Sequence, residues 1–383
     1  MKFLHMSDLH LGKKLHECSL YEDQKYILEQ ILALVEQEKP QGVLIAGDVY
    51  DKPLPPADAV QLFDKFLTSL AQLQVPAFII SGNHDSAERL AFGNQLMEGS
   101  GIHFASAYNG QAQRLTLTDQ YGPVNIYLLP FVKPLLVRRY VEDEEVAAAL
   151  STYHEAVSYA LDQLAVNPEE RNILVAHQFV TGAEKCDSED ISVGGLDNIA
   201  AEAFAAFDYV ALGHIHSPQH IKNHPELRYS GTPLKYSFSE ANQQKSVTVV
   251  ECGAKGDLTI RTLDLHPLHE VRRLKGSYAE LTLRDNYKDT NLQDYLQITL
   301  TDEEDIPQAM AKLQTIYPNL LQLDYDNTRT RTNKTVVLTR EMEEKTPLQL
   351  FAEFYSQQNN QELSREQDDI VAALIAKLKG EAE

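Results

Sequence analysis

The sequence predicts an α/β fold that is followed by a small α+β domain and a C-terminal pair of helices. The chain has 383 residues, which favours one large domain plus a smaller one over a single core. Up to about residue 265, short apolar strands alternate with amphipathic helices, a pattern typical of sheets with helices packed outside. From about residue 268 this alternation gives way to a short mixed pattern and then to helices alone.

The first domain is predicted to span residues 1–266. Its strands are apolar runs rich in Val, Ile, Leu and Tyr, namely KFLHM, GVLIAGD, PAFIISG, VNIYLLPF, NILVAHQ and YVALGHIH. Two helices separate the early strands, and their apolar faces are predicted to carry Ile27, Leu28, Ile31, Leu34 and Val35 in the first and Val60, Phe63, Phe66, Leu67 and Leu70 in the second. In folds of this kind, ligands collect where strands end and loops begin.

The small domain is predicted to span residues 267–343. Pro267, a basic cluster and Gly276 interrupt the α/β pattern at its start. Its predicted strands are YLQITLTD, LLQLDYD and KTVVLTR, and its predicted helix lies in EDIPQAMAKLQTIY.

Residues 344–383 are predicted to form two helices with apolar faces. The first carries Leu348, Phe351, Phe354 and Tyr355; the second follows a capping box formed by Ser364 and Gln367 and carries Ile370, Val371, Leu374, Ile375 and Leu378. The pair can pack on its own domain or dock onto a partner, and the pattern alone favours neither arrangement.

Composition excludes several classes of protein. Hydrophobic residues at 43% and charged residues at 23% argue against a disordered chain or a coiled-coil rod. No run approaches the roughly 20 apolar residues of a membrane span. The N-terminus has no signal-peptide core, and Cys18, Cys186 and Cys252 form no CxxC pair. We therefore expect a cytoplasmic protein that does not enter the membrane.

The net charge of −22 has the wrong sign for a protein that attracts nucleic acid through its overall field. A DNA substrate would have to be met by a local basic strip, by bound metal or by a partner subunit.

Five short motifs that follow predicted strands supply metal-ligating side chains. They are DLH (Asp8, His10), GDVYD (Asp48, Asp51), GNHD (Asn83, His84, Asp85), AHQ (His177) and GHIH (His214, His216). Alternate residues of a strand point to one face, so the DxH and HxH pairs can each direct two side chains to one place. Gly47, Gly82 and Gly213 precede candidates and allow tight turns.

These side chains predict a dinuclear metal centre. Carboxylate, amide and imidazole ligands suit manganese, iron or zinc. Two ions about 4 Å apart need a shared bridge, for which we choose Asp48. One ion would take Asp8, His10 and His216, and the other Asn83, His177 and His214. Each motif alone has an ordinary explanation as a turn, a polar loop or a near-core histidine, and only their conjunction favours the metal centre.

The order DxH, GDxxD, GNHD, H, GHxH resembles the calcineurin-like metallophosphoesterase superfamily, in which a β-sandwich flanked by helices holds a dinuclear centre. That resemblance implies a four-layer α/β/β/α sandwich. Narrower stretches are similar to the bacterial SbcD family, the nuclease subunit of the SbcCD complex. They are HMSDLHLGK, VAHQFVTGAEKCDSE followed by VGG, and YSGTPLKYSFSEANQQKSV.

The SbcD resemblance implies the same seven metal ligands and a catalytic histidine at His84. Asp51 stands where the archaeal and eukaryotic relatives have a second histidine, which puts any role of that histidine in doubt here. The resemblance also implies a DNA-capping role for the small domain and docking of the terminal helices on an SbcC-type coiled-coil ABC ATPase. The assembly implied is a homodimer within a heterotetramer.

The function expected is that of a DNA double-strand exonuclease and single-strand or hairpin endonuclease with two Mn²⁺ ions. Manganese would activate a water for in-line attack, and His84 would orient the phosphate or protonate the leaving oxygen. Asp85 and Asp51 are expected just outside the ligands, with Asp85 hydrogen-bonded to a histidine.

DNA contacts are expected at a local basic strip that reads phosphates without sequence specificity. Its candidate members are Lys13, Lys14, Lys133, Arg138, Arg139, Lys235, Arg272, Arg273 and Lys275. Two rival functions stay open. The chain could be a stand-alone phosphoesterase for a small nucleotide or a phosphoprotein, or a scaffold for the ATPase whose metal is structural.

Overall fold

A computed structural model describes residues 1–184, 186, 188–189, 198–333, 346–359 and 362–380. The chain divides into two compact units, Met1–Val271 and Arg272–Glu383. The terminal helices belong to the second unit. The predicted strand KTVVLTR (334–340) and the VGG stretch (193–195) lie outside the described residues.

The first unit contains fourteen strands and seven α-helices among its described residues. The strands are β1 (Lys2–Met6), β2 (Lys14–Leu15), β3 (Cys18–Ser19), β4 (Gly42–Ala46), β5 (Ala77–Ile80), β6 (Ile102–Ala105), β7 (Gln113–Asp119), β8 (Gly122–Leu129), β9 (Arg171–His177), β10 (Tyr209–Gly213), β11 (Gln219–Ile221), β12 (His224–Tyr229), β13 (Ser246–Cys252) and β14 (Leu258–Asp264). The helices are α1 (Tyr21–Glu38), α2 (Ala57–Gln72), α3 (Ala87–Leu90), α4 (Asn94–Met97), α5 (Pro134–Arg138), α6 (Glu144–Ala149) and α7 (Tyr153–Asp162).

Two six-stranded sheets form a sandwich. Their strand orders are β14-β13-β1-β4-β5-β6 and β11-β12-β10-β9-β8-β7. Alternate residues of each strand face the other sheet, as the two-residue period requires. The core between the sheets takes side chains from both, among them Phe3, Leu44, Phe78, Ile126, Val175 and Ala211.

Helices cover the outer faces of both sheets. On the second sheet, Leu174 and Leu212 point away from the sandwich core and pack with Val157 of α7. On the first sheet, the outward residues Leu4 and Ile45 are fully buried. The crossover helices α1 and α2 supply that cover with their own buried faces. The result is the four-layer α/β/β/α arrangement that the sequence predicted.

The helical face predicted for α2 was wrong at one position. Val60 is 42% exposed, whereas Leu62 is buried. At 100° per residue, Val60 lies about 90° from the centre of the buried face, so Leu62 fills the inward side instead. The remaining predicted members of that face, Phe63, Phe66, Leu67 and Leu70, are buried.

The second unit holds a three-stranded sheet and short helices. Its sheet has the order β15-β16-β17, formed by β15 (Val271–Gly276), β16 (Tyr295–Leu300) and β17 (Leu320–Tyr325). Its helices are α8 (Tyr278–Thr282), α9 (Arg284–Tyr287), α10 (Ala309–Gln314) and α11 (Thr328–Asn333). Its hydrophobic core includes Ile298, Leu313 and Tyr317.

The division between the two compact units falls within the predicted boundary stretch, residues 266–277, whose basic cluster forms strand β15. One feature of this unit differs from the sequence prediction. The helix predicted across 304–317 is confined to α10, because Gln308 has a left-handed φ of 57° and Pro307 restricts the residue before it.

The terminal helices are α12 (Pro347–Asn359) and α13 (Arg365–Gly380). The predicted capping box is present, since the Ser364 amide donates to Gln367 Oε1 at 2.9 Å and the Gln367 amide donates to Ser364 Oγ at 3.3 Å. Among the described residues, none of the helices combines the length and the apolar character that crossing a bilayer demands.

Candidate metal centre

The predicted motifs converge on one edge of the sandwich. In the first sheet, Asp8, Asp48 and Asn83 follow β1, β4 and β5, which run parallel to one another. In the second sheet, His177 ends β9 and His214 follows the parallel strand β10. Parallel strands end at the same edge of their sheet, so both sheets deliver ligand candidates to one place.

Hydrogen bonds tie these strand ends together. Within the first sheet, the Asp8 amide donates to the Gly47 carbonyl at 3.0 Å, and the His10 amide donates to the Asp48 carbonyl at 2.9 Å. Between the sheets, the His214 amide donates to Asp8 Oδ1 at 3.0 Å. The two sheets are therefore joined directly at the site.

Four of the predicted ligands have backbone conformations that L residues rarely adopt. The φ angles are 53° at Asp8, 43° at His10, 50° at Asp48 and 100° at His214. Each such residue costs roughly 1–3 kcal/mol, which the surrounding contacts must offset. The positive φ of His214 interrupts the extended backbone, so β10 ends at Gly213 rather than at His216, where the sequence pattern placed its end.

Two glycines make the convergence possible. A Cβ at Gly82 would collide with the carboxylate of Asp48. A Cβ at Gly213 would collide with the carbonyl oxygen of Ala46. Any side chain at these positions would push the strand ends apart, because the contacts are with backbone or with the buried carboxylate of Asp48.

The first group of ligand candidates is Asp8, His10 and His216. Their ligand atoms lie within 4.8 Å of one another, and all three side chains are buried. His10 Nε2 lies 3.2 Å from His216 Nε2. This is the set that the sequence analysis assigned to one ion.

The second group is built around His177. Its Nε2 lies 3.3 Å from Asp48 Oδ2 and 3.0 Å from Asn83 Oδ1. His214 Nδ1 lies 3.1 Å from the same Asn83 oxygen. Asp48 Oδ2 is also 3.7 Å from His10 Nε2, so Asp48 lies between the two groups, where a bridging ligand would have to be.

The donor atoms of this second group fit a divalent cation. His177 Nδ1 lies 2.8 Å from the Ala46 carbonyl, which can only accept, so Nδ1 carries a proton. In the neutral ring, Nε2 then presents a lone pair toward two oxygen acceptors, Asp48 Oδ2 and Asn83 Oδ1. Acceptors facing one another in a buried site require a positive charge between them, either a proton or a metal.

The pKa values of the site reflect this need for positive charge. Burial lowers the pKa of His177, but the charges of Asp48 and Asp8 and the hydrogen bonds with Asp48 and the Ala46 carbonyl together raise it to about 9. Burial raises the pKa of Asp8 to about 7. Burial would also raise the pKa of Asp48, but the charges of the neighbouring histidines and the hydrogen bond with His177 together bring it well below its usual range. Burial lowers the pKa of His10 to about 3.

His84 lies beside the ligand groups and is half-buried. Its amide donates to Asp48 Oδ1 at 2.9 Å, and its Nδ1 donates to the Asp51 carbonyl at 2.9 Å. The ring meets that of His10 edge-on, with centroids 4.8 Å apart. The Asp51 carboxylate lies 3.8 Å from His10 Nδ1, just outside the predicted ligands.

The expected hydrogen bond from Asp85 to a histidine was wrong. The Asp85 carboxylate instead accepts from three backbone amides, those of Val49 at 3.1 Å, Tyr50 at 2.9 Å and Gly82 at 2.9 Å. Asp85 therefore fixes the turn after β4 against the turn after β5. A pattern of residue types could not distinguish these backbone partners from an imidazole.

Several of the basic side chains predicted to contact DNA form ion pairs or hydrogen bonds within the protein. Lys13 Nζ lies 2.7 Å from Asp51 Oδ1, Lys235 Nζ lies 2.6 Å from Glu270 Oε1, and Arg272 lies 2.7 Å from Asp294 Oδ2. Arg138 Nε donates to the Leu150 carbonyl at 2.6 Å. Lys275 pairs with Asp326. The side chains of Lys14, Lys133, Arg139 and Arg273 are exposed.

Residues that the sequence analysis assigned no role also contact the predicted ligands. Gln24 donates to the His10 carbonyl at 2.8 Å. Glu189 accepts from the His216 amide at 2.7 Å, and Ser188 lies against the His216 ring. The signal was present, because Ser188 and Glu189 lie in the stretch VAHQFVTGAEKCDSE that carried the family resemblance.

Two family models match the chain. The model described as calcineurin-like phosphoesterase matches residues 1–218, more than half of the chain. The model described as type 5 capsule protein repressor C-terminal domain matches residues 267–359. The first match ends before β11 and so covers the sandwich as far as β10, and the second covers the small unit as far as helix α12.

A full-length relative and two solved structures are also similar to this chain. The SbcD subunit of the nuclease SbcCD from Staphylococcus epidermidis is 33% identical over 383 residues, which is 98% of each chain. Calcineurin-like phosphoesterase YfkN from Bacillus subtilis has 12% identity and a TM-score of 0.38, covering 69% of this chain and 90% of its own. The protein TT1561 of Thermus thermophilus has 13% identity and a TM-score of 0.37, covering 68% and 98%.

Metal binding should release protons. In the metal-free protein at pH 7, His177 carries a proton because its pKa is about 9, and Asp8 is partly protonated because its pKa is about 7. Both groups must lose their protons to act as ligands, so binding should release about one to two protons per protein. The apparent affinity should rise with pH and level off above about pH 9.

Titration calorimetry of the protein with Mn²⁺, in buffers of different ionisation enthalpy, measures this release. Heats that are the same in every buffer would contradict the assignment of His177 and Asp8 as ligands.

Proposed function

The chain belongs to the SbcD family of calcineurin-like phosphoesterases, and on that premise we propose that it is a metal-dependent DNA nuclease. Its activities would be those of a double-strand exonuclease and a single-strand or hairpin endonuclease, in DNA end processing, repair and recombination. It would act in the cytoplasm with an SbcC-type coiled-coil ABC ATPase.

The observation that supports a hydrolytic reaction best is the convergence of both ligand groups on Asp48. Asp8, His10 and His216 would hold one divalent ion, and Asn83, His177 and His214 the other, with Asp48 shared. When bound, two such ions, most suitably Mn²⁺, supply Lewis-acid stabilisation of a phosphodiester and a nucleophilic water at neutral pH. The protein would contribute a set of mostly buried ligand side chains on a backbone that is held in place by the sandwich.

His84 is proposed to act on the substrate rather than on the metals. A ring nitrogen of His84 lies within 4.8 Å of ligand atoms of His10 and Asp48, close enough to reach a phosphate held there. The hydrogen bond from Nδ1 to the Asp51 carbonyl restrains the orientation of the ring. A histidine so held can orient the phosphate or donate a proton to the leaving oxygen.

DNA is proposed to approach past Lys133. Its ammonium lies 6.0 Å from the centre of the Phe131 ring, and Phe131 stacks on His214 with centroids 6.3 Å apart. Lys133 is exposed, so it can contact a phosphate next to the one being cleaved. This placement provides local positive charge in a chain whose net charge is −22.

Replacing His84 by Ser should separate catalysis from metal binding. The substitution removes the ring and its bond to Asp51 but leaves the predicted ligands in place. We expect metal content near that of the parent and a loss of at least about 100-fold in the release of nucleotides from linear duplex DNA with Mn²⁺. The comparison is made with and without the coiled-coil ATPase.

Two variants serve as controls for this experiment. Asp8→Ala should lose both metal and activity, and His220→Ser, an exposed position on β11, should lose neither. Full activity in His84→Ser would disprove the role of His84. Loss of metal together with activity would identify His84 as a ligand, and a parent protein that binds Mn²⁺ without cleaving DNA would favour the scaffold.

Replacing Lys133 by Ala should weaken DNA binding in a salt-dependent way. Loss of one phosphate contact should reduce the slope of log affinity against log salt by about one. Fluorescence anisotropy with labelled duplex at several salt concentrations measures this slope. Lys255→Ala is the matched control, because Lys255 lies in the β13–β14 turn near the amino end of β1 and pairs with Asp208. Equal slopes for both variants would rule out the contact.

The assembly is proposed to be a homodimer that docks its terminal helices on the ATPase. On these helices Phe354 is 59% exposed, Ile370 60% and Leu374 56%, so part of each apolar face lies open on the described chain. In the first unit, Phe92 and Leu96 are each 85% exposed, which suits a contact between two copies.

Light scattering should give a dimer mass for the parent and a larger complex with the ATPase. Leu374→Glu should abolish only the complex, and Leu96→Glu only the dimer. A monomeric parent would contradict the dimer, and an unchanged complex with Leu374→Glu would contradict the docking surface.

A further inference from the structure

A chain of hydrogen bonds leads from His216 away from the metal centre and ends at a buried ion pair. His216 Nδ1 lies 2.7 Å from Ser188 Oγ. Ser188 Oγ in turn lies 2.6 Å from Glu240 Oε1, and Glu240 Oε2 lies 2.6 Å from Lys245 Nζ. The side chain of Glu240 is fully buried, and that of Lys245 is 3% exposed.

The direction of each hydrogen bond follows from the groups at the far end of the chain. The Lys245 ammonium can only donate, so the Glu240 carboxylate beside it accepts. Glu240 accepts again from the Ser188 hydroxyl, which has one hydrogen. The Ser188 oxygen is left to accept, so the proton of the His216 ring lies on Nδ1. The lone pair of the neutral ring is therefore on Nε2, which faces His10 and the metal centre.

Lys245 connects the far end of this hydrogen-bond chain back to the backbone of His216. Its Nζ also donates to the His216 carbonyl at 2.9 Å and to Thr232 Oγ1 at 2.8 Å. The same ion pair therefore fixes both the imidazole and the backbone of His216. A buried pair of this kind contributes little net stability over apolar side chains of equal volume, so stability alone does not account for it.

We propose that Ser188 and Glu240 are positioning residues that hold His216 in its metal-binding tautomer, with Lys245 orienting Glu240. This inference rests on the proposed metal centre and deepens it. Outer partners of metal-ligating histidines fix ring orientation and tautomer, and their loss typically weakens metal affinity about 10- to 100-fold. Ser188 and Glu240 lie in the stretches that carry the family resemblance, where the sequence analysis assigned them no role.

The decisive variant is Ser188→Ala, because it removes the hydrogen bond to His216 and leaves the Glu240–Lys245 pair intact. We expect its dissociation constant for Mn²⁺, measured by titration calorimetry on the full chain, to rise about 10-fold or more. Ser188→Thr keeps a hydroxyl and should bind Mn²⁺ like the parent. A structural role for Ser188 would change the melting temperature but would not give this contrast in affinity.

Glu240→Gln tests the next step of the chain. A glutamine can turn its NH₂ toward Ser188, so the hydroxyl would donate to Nδ1 and stabilise the wrong tautomer. Its effect on affinity should disappear when Ser188 is already alanine, because Glu240 acts through Ser188. Glu38→Gln is the matched control, a largely buried glutamate that pairs with Lys2 near the amino end of β1.

Affinity of Ser188→Ala within about twofold of the parent would overturn the proposal, and additive effects in the double variant would overturn the role of Glu240. If Glu240→Gln does not fold, the Ala and Thr variants at Ser188 decide alone. A parent that binds Mn²⁺ but cleaves no DNA would overturn the proposed function, while the affinities still decide this inference. A parent that binds no Mn²⁺ would overturn both.

Discussion

The site depends on hydrogen bonds that join the two sheets at one edge. The His214 amide at the end of β10 donates to the Asp8 carboxylate at the end of β1, at 3.0 Å. The His177 ring at the end of β9 donates to the Ala46 carbonyl at the end of β4, at 2.8 Å. Because each bond uses a predicted metal ligand as donor or acceptor, the packing of the sandwich and the geometry of the site cannot vary independently.

Burial and backbone strain are the cost of this arrangement. Asp8, His10, Asp48 and His214 adopt positive φ angles, and carboxylates and imidazoles are crowded where water does not reach them. In the metal-free protein, the raised pKa of His177 keeps a positive charge among these acceptors. Replacement of that proton by divalent ions would relieve the same electrostatic demand, which links metal binding to the stability of the loops.

The strands of the sandwich and the candidate ligands at their ends could be predicted from the sequence, because strand periodicity and motif order are local signals. Asp8 with His10, and Asn83 with His84, are recognisable beside their strands, and parallel strands bring such ends together. The sequence pattern could not reveal hydrogen-bond and ion-pair partners that the tertiary structure brings together. Asp85 binds backbone amides, and Lys235 is engaged by Glu270. Val60 is exposed although its spacing matches a buried face, because spacing does not locate the centre of that face.

We propose that seven side chains from both sheets hold two metal ions, with Asp48 shared. Anomalous diffraction from crystals of the protein grown with Mn²⁺ tests this arrangement. We expect two anomalous peaks, one contacted by Asp8, His10 and His216 and the other by Asn83, His177 and His214, with Asp48 contacting both. A single peak, or two peaks of which Asp48 contacts only one, would contradict it.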